Sequence, residues 1–360
     1  MTTPPTRRTA EHTADLRAPA DRAFRLIADV TRWPLLFPPC VAADVLESDL
    51  DSERIRLWAL VGEEVRSWTS LRTLDRERLR IDFRQETPSP PLTWMGGHWE
   101  FERGAGGESA TRLVLGHEWV TAGAPEQADL IARALDGNSE QEIGAVRAWA
   151  ERPEPPEELV FSFADRVETT APPGAVYDVL HRADLWPDRL PHVDAVELTT
   201  VPATPVTGGA EVQRLSMDTR AEDGSVHRTR SVRLCFPHER IVYKQTAPPA
   251  GLLGHSGEWI VTPHGAGSAV TAVHRVALDA DALPRLFGAG TELAVVRERV
   301  RAALGGNSLR TLEWARSFLA GAGADADADA EADAAAAAAA AAAGVGVGVA
   351  AGVAAREVAR

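Results

Sequence analysis

The sequence predicts an α+β protein built as a tandem duplicate, each copy a curved antiparallel sheet around a long C-terminal helix with an internal cavity. Three observations predict it. The chain has 360 residues, about twice the usual length of a domain. Blocks of similar residues recur in one order at nearly constant offset. Each half passes from a strand through short helices and an alternating meander to a final helix.

The repeat opens on Trp33–Pro34 and Trp186–Pro187. It continues with SWTSLRTL from Ser67 against RTRSVRLC from Arg228, and GGHWEF from Gly96 against SGEWIV from Ser256. LGHEWV from Leu115 then answers AVHRVA from Ala272, and DGNSEQEI from Asp136 answers GGNSLRTL from Gly305. The offsets are 153, 161, 160, 157 and 169 residues, too regular for chance. The copies span residues 8–150 and 160–320, joined by the Pro/Glu-rich segment 151–159, whose composition suits a short stiff linker.

Each element has a local reason. A polar-apolar alternation over about 10–18 and 160–169 predicts the first strand. APADRAF and APPGAVY place Pro at a helix start, where its missing N–H costs nothing. Five or six alternating strands follow, separated by Gly, Asp and Pro turns. A final helix is expected to begin near Asn138 or Asn307, since Asn is a good N-cap. Ile143, Val146 and Trp149, like Leu309, Leu312, Trp314 and Phe318, then recur at helical spacing. Residues 321–360, rich in Ala, Asp and Gly, have no amphipathic pattern and are expected to form a disordered tail.

Composition narrows the function. Ten Trp and nine Phe supply a large apolar core, which excludes disorder for most of the chain. Cys40 and Cys235 are the only cysteines, so neither a disulfide framework nor a zinc cluster is expected. A net charge of −14 disfavours a nucleic-acid partner. The N-terminus lacks an apolar signal core, and the Ala/Gly/Val run from Ala334 carries too little transfer energy for a membrane span, so a cytoplasmic location is expected. No phosphate loop, nucleophile elbow or metalloprotease motif is present, and neither cofactor nor metal is expected.

Strand parity selects candidate residues. Trp68, Ser70 and Arg72 share one face, as do Thr229, Ser231 and Arg233. An inward Arg is costly to desolvate unless something anionic or strongly polar meets it. His117 shares a face with Leu113, Leu115 and Trp119, and His274 holds the matching place in the second copy. His255 shares the parity of Gly257 and Trp259, whereas His98 is expected to face outward or to be structural. Gly96–Gly97 and Gly257 beside bulky aromatics suggest room for a ligand.

With Trp33–Pro34, Trp68-x-Ser70-x-Arg72, Met95-x-x-His98–Trp99, Asn138 and their second-copy counterparts, the chain resembles the helix-grip (START/Bet v 1-like) superfamily. Within it, the chain is most similar to the two-domain polyketide aromatase/cyclases of type II pathways. The resemblance covers about residues 8–320. It implies regiospecific first-ring aldol cyclisation, between C7 and C12, with dehydration of a ketoreduced, carrier-protein-bound poly-β-ketone. The implied partners are the acyl carrier protein, the minimal polyketide synthase and a ketoreductase. On this reading Arg72 and Arg233 polarise carbonyls and stabilise an enolate. Ser70 and Ser231 assist them, and His117 and His274 move protons. Trp33, Trp68, Met95, Trp99, Trp119, Trp186, His255 and Trp259 line the substrate cavities. The pattern departs from the family where its pocket Tyr is replaced by Cys40 and Val193, and where a second Arg falls on Gln85 and Thr246. A non-catalytic carrier of hydrophobic ligands is the alternative reading.

Overall fold

The computed structural model describes residues 5–104, 106–122, 125–220, 224 and 226–321. The expected tail therefore lies, from residue 322 onward, outside the described residues.

The first sheet comprises β1 (Thr6–Leu16), β2 (Cys40–Ser48), β3 (Ser52–Val61), β4 (Glu64–Asp75), β5 (Arg80–Gln85), β6 (Leu92–Arg103) and β7 (Thr111–Thr121). Its strand order is β1-β7-β6-β5-β4-β3-β2, a meander closed on one edge by the first strand. Between β1 and β2 come α1 (Ala20–Ala28) and the single-turn α2 (Trp33–Leu36); α3 (Pro125–Ala150) follows β7. A short α4 (Pro156–Leu159) lies in the connecting segment and buries Leu159 completely.

The second sheet repeats the plan with β8 (Val160–Thr169), β9 (Val193–Val201), β10 (Glu211–Arg220), β11 (Val226–Phe236), β12 (Arg240–Ala247), β13 (Leu252–His264) and β14 (Gly267–Leu278). The order β8-β14-β13-β12-β11-β10-β9 is the same. Helices α5 (Pro173–His181) and α6 (Trp186–Arg189) match α1 and α2, α7 (Leu283–Phe287) is an addition, and the long helix α8 covers 293–321. Among the described residues no helix is long and apolar enough to cross a membrane.

Local chemistry explains the small helices. Ala20, Ala23, Phe24 and Ile27 form one buried face of α1 at helical spacing. Pro34 and Pro187 sit in the first turns of α2 and α6, where no donor is lost. The long helices correct one expectation. α3 begins at Pro125 and α8 at residue 293, so Asn138 and Asn307 lie well inside them rather than at their N-caps. Gly137 and Gly305–Gly306 look like breaks in the sequence, at about 1 kcal/mol each against Ala. Packing of Ser139, Ile143, Val146 and Ala150 under the sheet carries the helix through them.

Candidate functional site

Both sheets hold the same Arg–Trp unit on their inner faces. Arg72 is 3% exposed; its Nη2 donates to Ile27 O at 2.7 Å, and its Nη1 pairs with Glu53 at 3.2 Å. The guanidinium lies over the Trp33 ring, 5.3 Å from its centre, and Trp33 is itself tied through Nε1 to Leu26 O at 3.2 Å. Burial pulls the Arg72 pKa down to about 10, opposed by Glu53 and Asp29, so it stays charged at neutral pH. Arg233 repeats the geometry, with Nη2 donating to Leu180 O at 2.7 Å and Trp186 beneath it at 5.3 Å. Among the described residues no carboxylate forms an ion pair with it, although the Glu211 charge acts on it. Gln213 stands opposite Arg233, as Glu53 stands opposite Arg72, and spends its amide on His181 and Glu211. Arg233 Nη1 is buried without a partner among the described residues.

The Trp-Pro motif thus positions a platform for the arginine, and one face of Trp33 and of Trp186 is committed to that contact rather than open to substrate. The remaining inward set is as parity predicts: Ser70, Met95, Trp99, Trp119 and Trp259 are buried, and Trp68 and Ser231 half-buried. The indole N–H groups of Trp119 and Trp259 are buried without partners among the described residues. Each such donor costs about 1–3 kcal/mol while unpaired, so both are receptive to a ligand oxygen.

The glycines do not leave the expected room. A Cβ on Gly97 would stand 2.0 Å from Gly116 O and 2.8 Å from Phe83, and one on Gly257 2.1 Å from Val273 O and 2.6 Å from the Tyr243 hydroxyl. They are required by close backbone approach and by the neighbouring rings.

A second constellation joins the strands to the long helix. His117 Nδ1 lies 3.4 Å from Ser139 Oγ of α3, and His274 Nε2 lies 2.9 Å from Ser308 Oγ of α8. Both serines belong to the Gly-Asn-Ser triplets of the repeat, which the sequence reading used only as helix starts. In the second copy the contact extends into a chain. His274 Nδ1 is 3.0 Å from His255 Nε2, and His255 Nδ1 is 2.8 Å from Gln245 Oε1. The Tyr243 hydroxyl is 3.0 Å from His274 Nδ1. With the Gln245 oxygen as acceptor, protons are assigned so that His255 donates to Gln245, His274 to His255, and Ser308 to His274. The Tyr243 O–H then remains to donate elsewhere. Phe83 and Met95 occupy the matching places in the first copy, and neither side chain can carry such a chain onward.

Register also corrects one correspondence. Gln85 pairs with Ser70 and Gln245 with Ser231, so Gln245, not the exposed Thr246, is the counterpart of Gln85.

Burial holds all three histidines neutral. His117 is pushed down to about 4 by burial and then by His12 and His98; His274 to about 4 by burial; and His255 to about 3 by burial and then by His274. Glu142, one turn beyond Ser139 on α3, is pushed up to about 7 by burial. Sequence reasoning missed it because a Glu inside a charged helix looks solvent-facing until its neighbours are known.

The signs of these shifts give a pH prediction. A histidine with a depressed folded pKa leaves the unfolded chain binding more protons below about 6.5, so stability is lost as pH falls toward 4. The raised Glu142 works oppositely, stabilising the protonated fold between about 4.5 and 7. The second domain, where burial depresses His192 as well as His255 and His274, is therefore expected to lose hydrogen-exchange protection more steeply than the first between pH 6.5 and 4.5. Equal slopes, or a steeper first domain, would contradict this.

A cavity of about 630 Å³ lies on the outer side of the first sheet, bordered by Arg80, Asp82, Arg84, Trp94, His98 and Glu118. It is not the inner cavity that the inward residues were expected to line; it agrees with the outward setting of His98. Among the described residues, His181, Glu211 and Cys235 have ligand atoms within 4.8 Å of one another. The Arg233 charge next to Cys235 and the 2.6 Å His181–Glu211 contact fit an internal ion-pair network better than a divalent cation.

Comparison with known proteins gives consistent matches. The family described as polyketide cyclase/dehydrase and lipid transport matches residues 16–135 and, through a second model of the same description, 160–313. The actinorhodin polyketide synthase bifunctional cyclase/dehydratase of Streptomyces coelicolor is 45% identical, over 84% of this chain and 94% of that protein. The granaticin polyketide synthase bifunctional cyclase/dehydratase of Streptomyces violaceoruber is 40% identical, over 86% and 94%. Among solved structures, the di-domain ARO/CYC BexL from the BE-7585A biosynthetic pathway superposes with a TM-score of 0.70 at 42% identity, over 86% of this chain and 98% of that one. The di-domain ARO/CYC StfQ from the steffimycin pathway gives 0.67 at 33%, over 86% and 97%.

Proposed function

The chain belongs to the polyketide cyclase/dehydrase family as a two-domain aromatase/cyclase of the type II kind, a cyclase/dehydratase enzyme, and from that premise we propose how its two sites divide the reaction. The substrate is a ketoreduced poly-β-ketone delivered on an acyl carrier protein. The first domain closes the first ring between C7 and C12, and the second removes water to aromatise it. The synthase and ketoreductase that make this chain are the expected partners.

In the first domain, Glu142 as carboxylate takes the α-proton of a 1,3-dicarbonyl segment. The resulting enolate carbon attacks the distant ketone, and the new alkoxide takes the proton from the Glu142 carboxyl, giving the alcohol and restoring the carboxylate. Arg72, Ser70 and the Trp119 N–H are the donors on hand for the charged oxygens. His117, neutral and held by Ser139, is depressed as far as His274 is, but Phe83 stands where His274 has the Tyr243 hydroxyl, so the proton work of this domain falls to Glu142.

In the second domain, elimination needs a base for the α-proton and an acid for the departing hydroxyl. Both histidines are neutral, so neither supplies the acid at pH 7, contrary to a His–His acid–base pair. His274 takes the proton at Nε2 once the Ser308 hydroxyl rotates away from that nitrogen, with His255 and Gln245 fixing its ring through Nδ1–H. The Tyr243 O–H protonates the leaving hydroxyl as the C–O bond breaks, which yields water and the new double bond, and the imidazolium then returns a proton to the Tyr243 oxygen from Nδ1, 3.0 Å away. Arg233 Nη1 and the Trp259 N–H receive the ketone oxygen that carries charge in between. The observation that carries this reading is the hydrogen-bonded chain Gln245–His255–His274–Ser308 with Tyr243 at its centre.

The test is reconstitution with a minimal polyketide synthase, with and without ketoreductase. Omitting this protein from the ketoreductase-containing mixture is expected to replace the aromatic product by spontaneously cyclised shunt products. Identical products in its presence and absence would overturn the reading.

A further inference from the structure

The same face is built differently on the two sheets. Leu71, Thr73, Asp82 and Arg84 on the outer side of the first stand, by register, where Val232, Leu234, Val242 and Lys244 stand on the second. Thr73, Asp82 and Arg84 are exposed, whereas all four second-sheet residues are buried. Val232, Leu234 and Val242 share one cluster with Val41, Ala42, Trp58 and Val65 of the first domain. Trp58 Nε1 donates across the junction to Thr207 O at 3.0 Å, and Arg240 pairs with Asp44. At Gly254 a Cβ would stand 3.0 Å from Leu35 O, so α2 rests directly on β13.

Lys244 lies at the centre of this contact, 6% exposed. Its Nζ donates to Phe37 O at 2.7 Å, Pro38 O at 2.9 Å and Cys40 O at 2.9 Å. An ammonium has three N–H donors, and a buried one is tolerated only when all are accepted. Here three carbonyls of the other domain accept them. Those carbonyls belong to the segment that leaves α2, the helix whose Trp33 carries Arg72.

We propose that Lys244 is a positioning residue for the first domain's site: the second domain, through this ammonium, holds residues 37–40 and with them the α2 platform under Arg72. The first pocket is then incomplete without the second domain, whichever reaction each performs. The two cysteines make this measurable. Cys40 lies in the held segment, and Cys235 lies inside the second domain, both buried as free thiols.

In the full chain, the rates at which a thiol-specific disulfide reagent modifies Cys40 and Cys235 are read by mass spectrometry. Lys244→Met is expected to speed Cys40 at least tenfold and leave Cys235 unchanged. Lys244→Arg, which keeps the charge and part of the donor set, restores most of the protection. Gly254→Ala, which displaces α2 without touching the lysine, speeds Cys40 as Met does. Cys40 as protected in Lys244→Met as in the wild type, or both thiols accelerated together as in general unfolding, would overturn the proposal.

Discussion

A His274→Ala variant accumulates ring-closed material one water heavier than the aromatic product. The imidazole sits between Ser308 Oγ at 2.9 Å and His255 Nε2 at 3.0 Å, with the Tyr243 hydroxyl also at 3.0 Å. Deleting it takes away the base and leaves Tyr243 without its neighbour. A positioned acid–base group contributes about 10²–10⁴-fold, so water loss should slow by that factor while ring closure in the first domain continues. Tyr243→Phe keeps the ring and the histidine chain but removes the acid, and should give the same intermediate with a smaller loss. Mass analysis of the reconstituted products decides between them. Aromatic product from His274→Ala at the wild-type rate would remove the second domain from the dehydration step.

Arg72→Ala is expected to act on stability as strongly as on chemistry. Read from strand parity, Arg72 faces a ligand, and its loss would leave the fold intact. Its guanidinium instead pairs with Glu53, binds Ile27 O and covers Trp33. Removing it strands a carboxylate whose side chain is only 18% exposed. Breaking a buried pair from one side typically costs about 3–5 kcal/mol. For a domain of this size that corresponds to roughly 10–17 °C in the first domain's unfolding transition. Arg72→Met combined with Glu53→Leu should recover most of the loss, because no charge is left unpaired. The double variant still lacks the donor, so rings should close wrongly in a folded protein. An Arg72→Ala protein that melts like the wild type would show that the pair contributes nothing.

The two arginines therefore part company although both stand in a Ser-x-Arg motif. Arg72 is neutralised by Glu53, whereas Arg233 faces Gln213 and keeps one N–H unpaired. A site meant to meet developing negative charge benefits from the second arrangement, in which no protein carboxylate competes with the substrate oxygen. Arg233→Lys should impair the second step even with charge conserved, since an ammonium cannot reproduce both the bond to Leu180 O and the free N–H over Trp186.

The sequence by itself determined the duplication, the strand parity and the inward setting of Ser70, Arg72, His117, Ser231, Arg233, His255 and His274. These depend on spacing along one chain: strand side chains alternate with a period of two, and a repeat shows itself as matched blocks. What the long helices contribute was not legible. Asn138 and Asn307 resemble caps by local preference, but burial of the helix face outweighs that preference, so Ser139 and Ser308 meet the sheet histidines and burial raises the pKa of Glu142. Only the tertiary structure decided whom each polar group meets. Gln245 reaches His255 across strands, Glu53 claims Arg72, and Lys244 finds its three carbonyls in the other domain, 204 to 207 residues away in sequence. The physical reason is that a buried charge must find partners wherever packing brings them, and partners that distant leave no periodic trace in the chain.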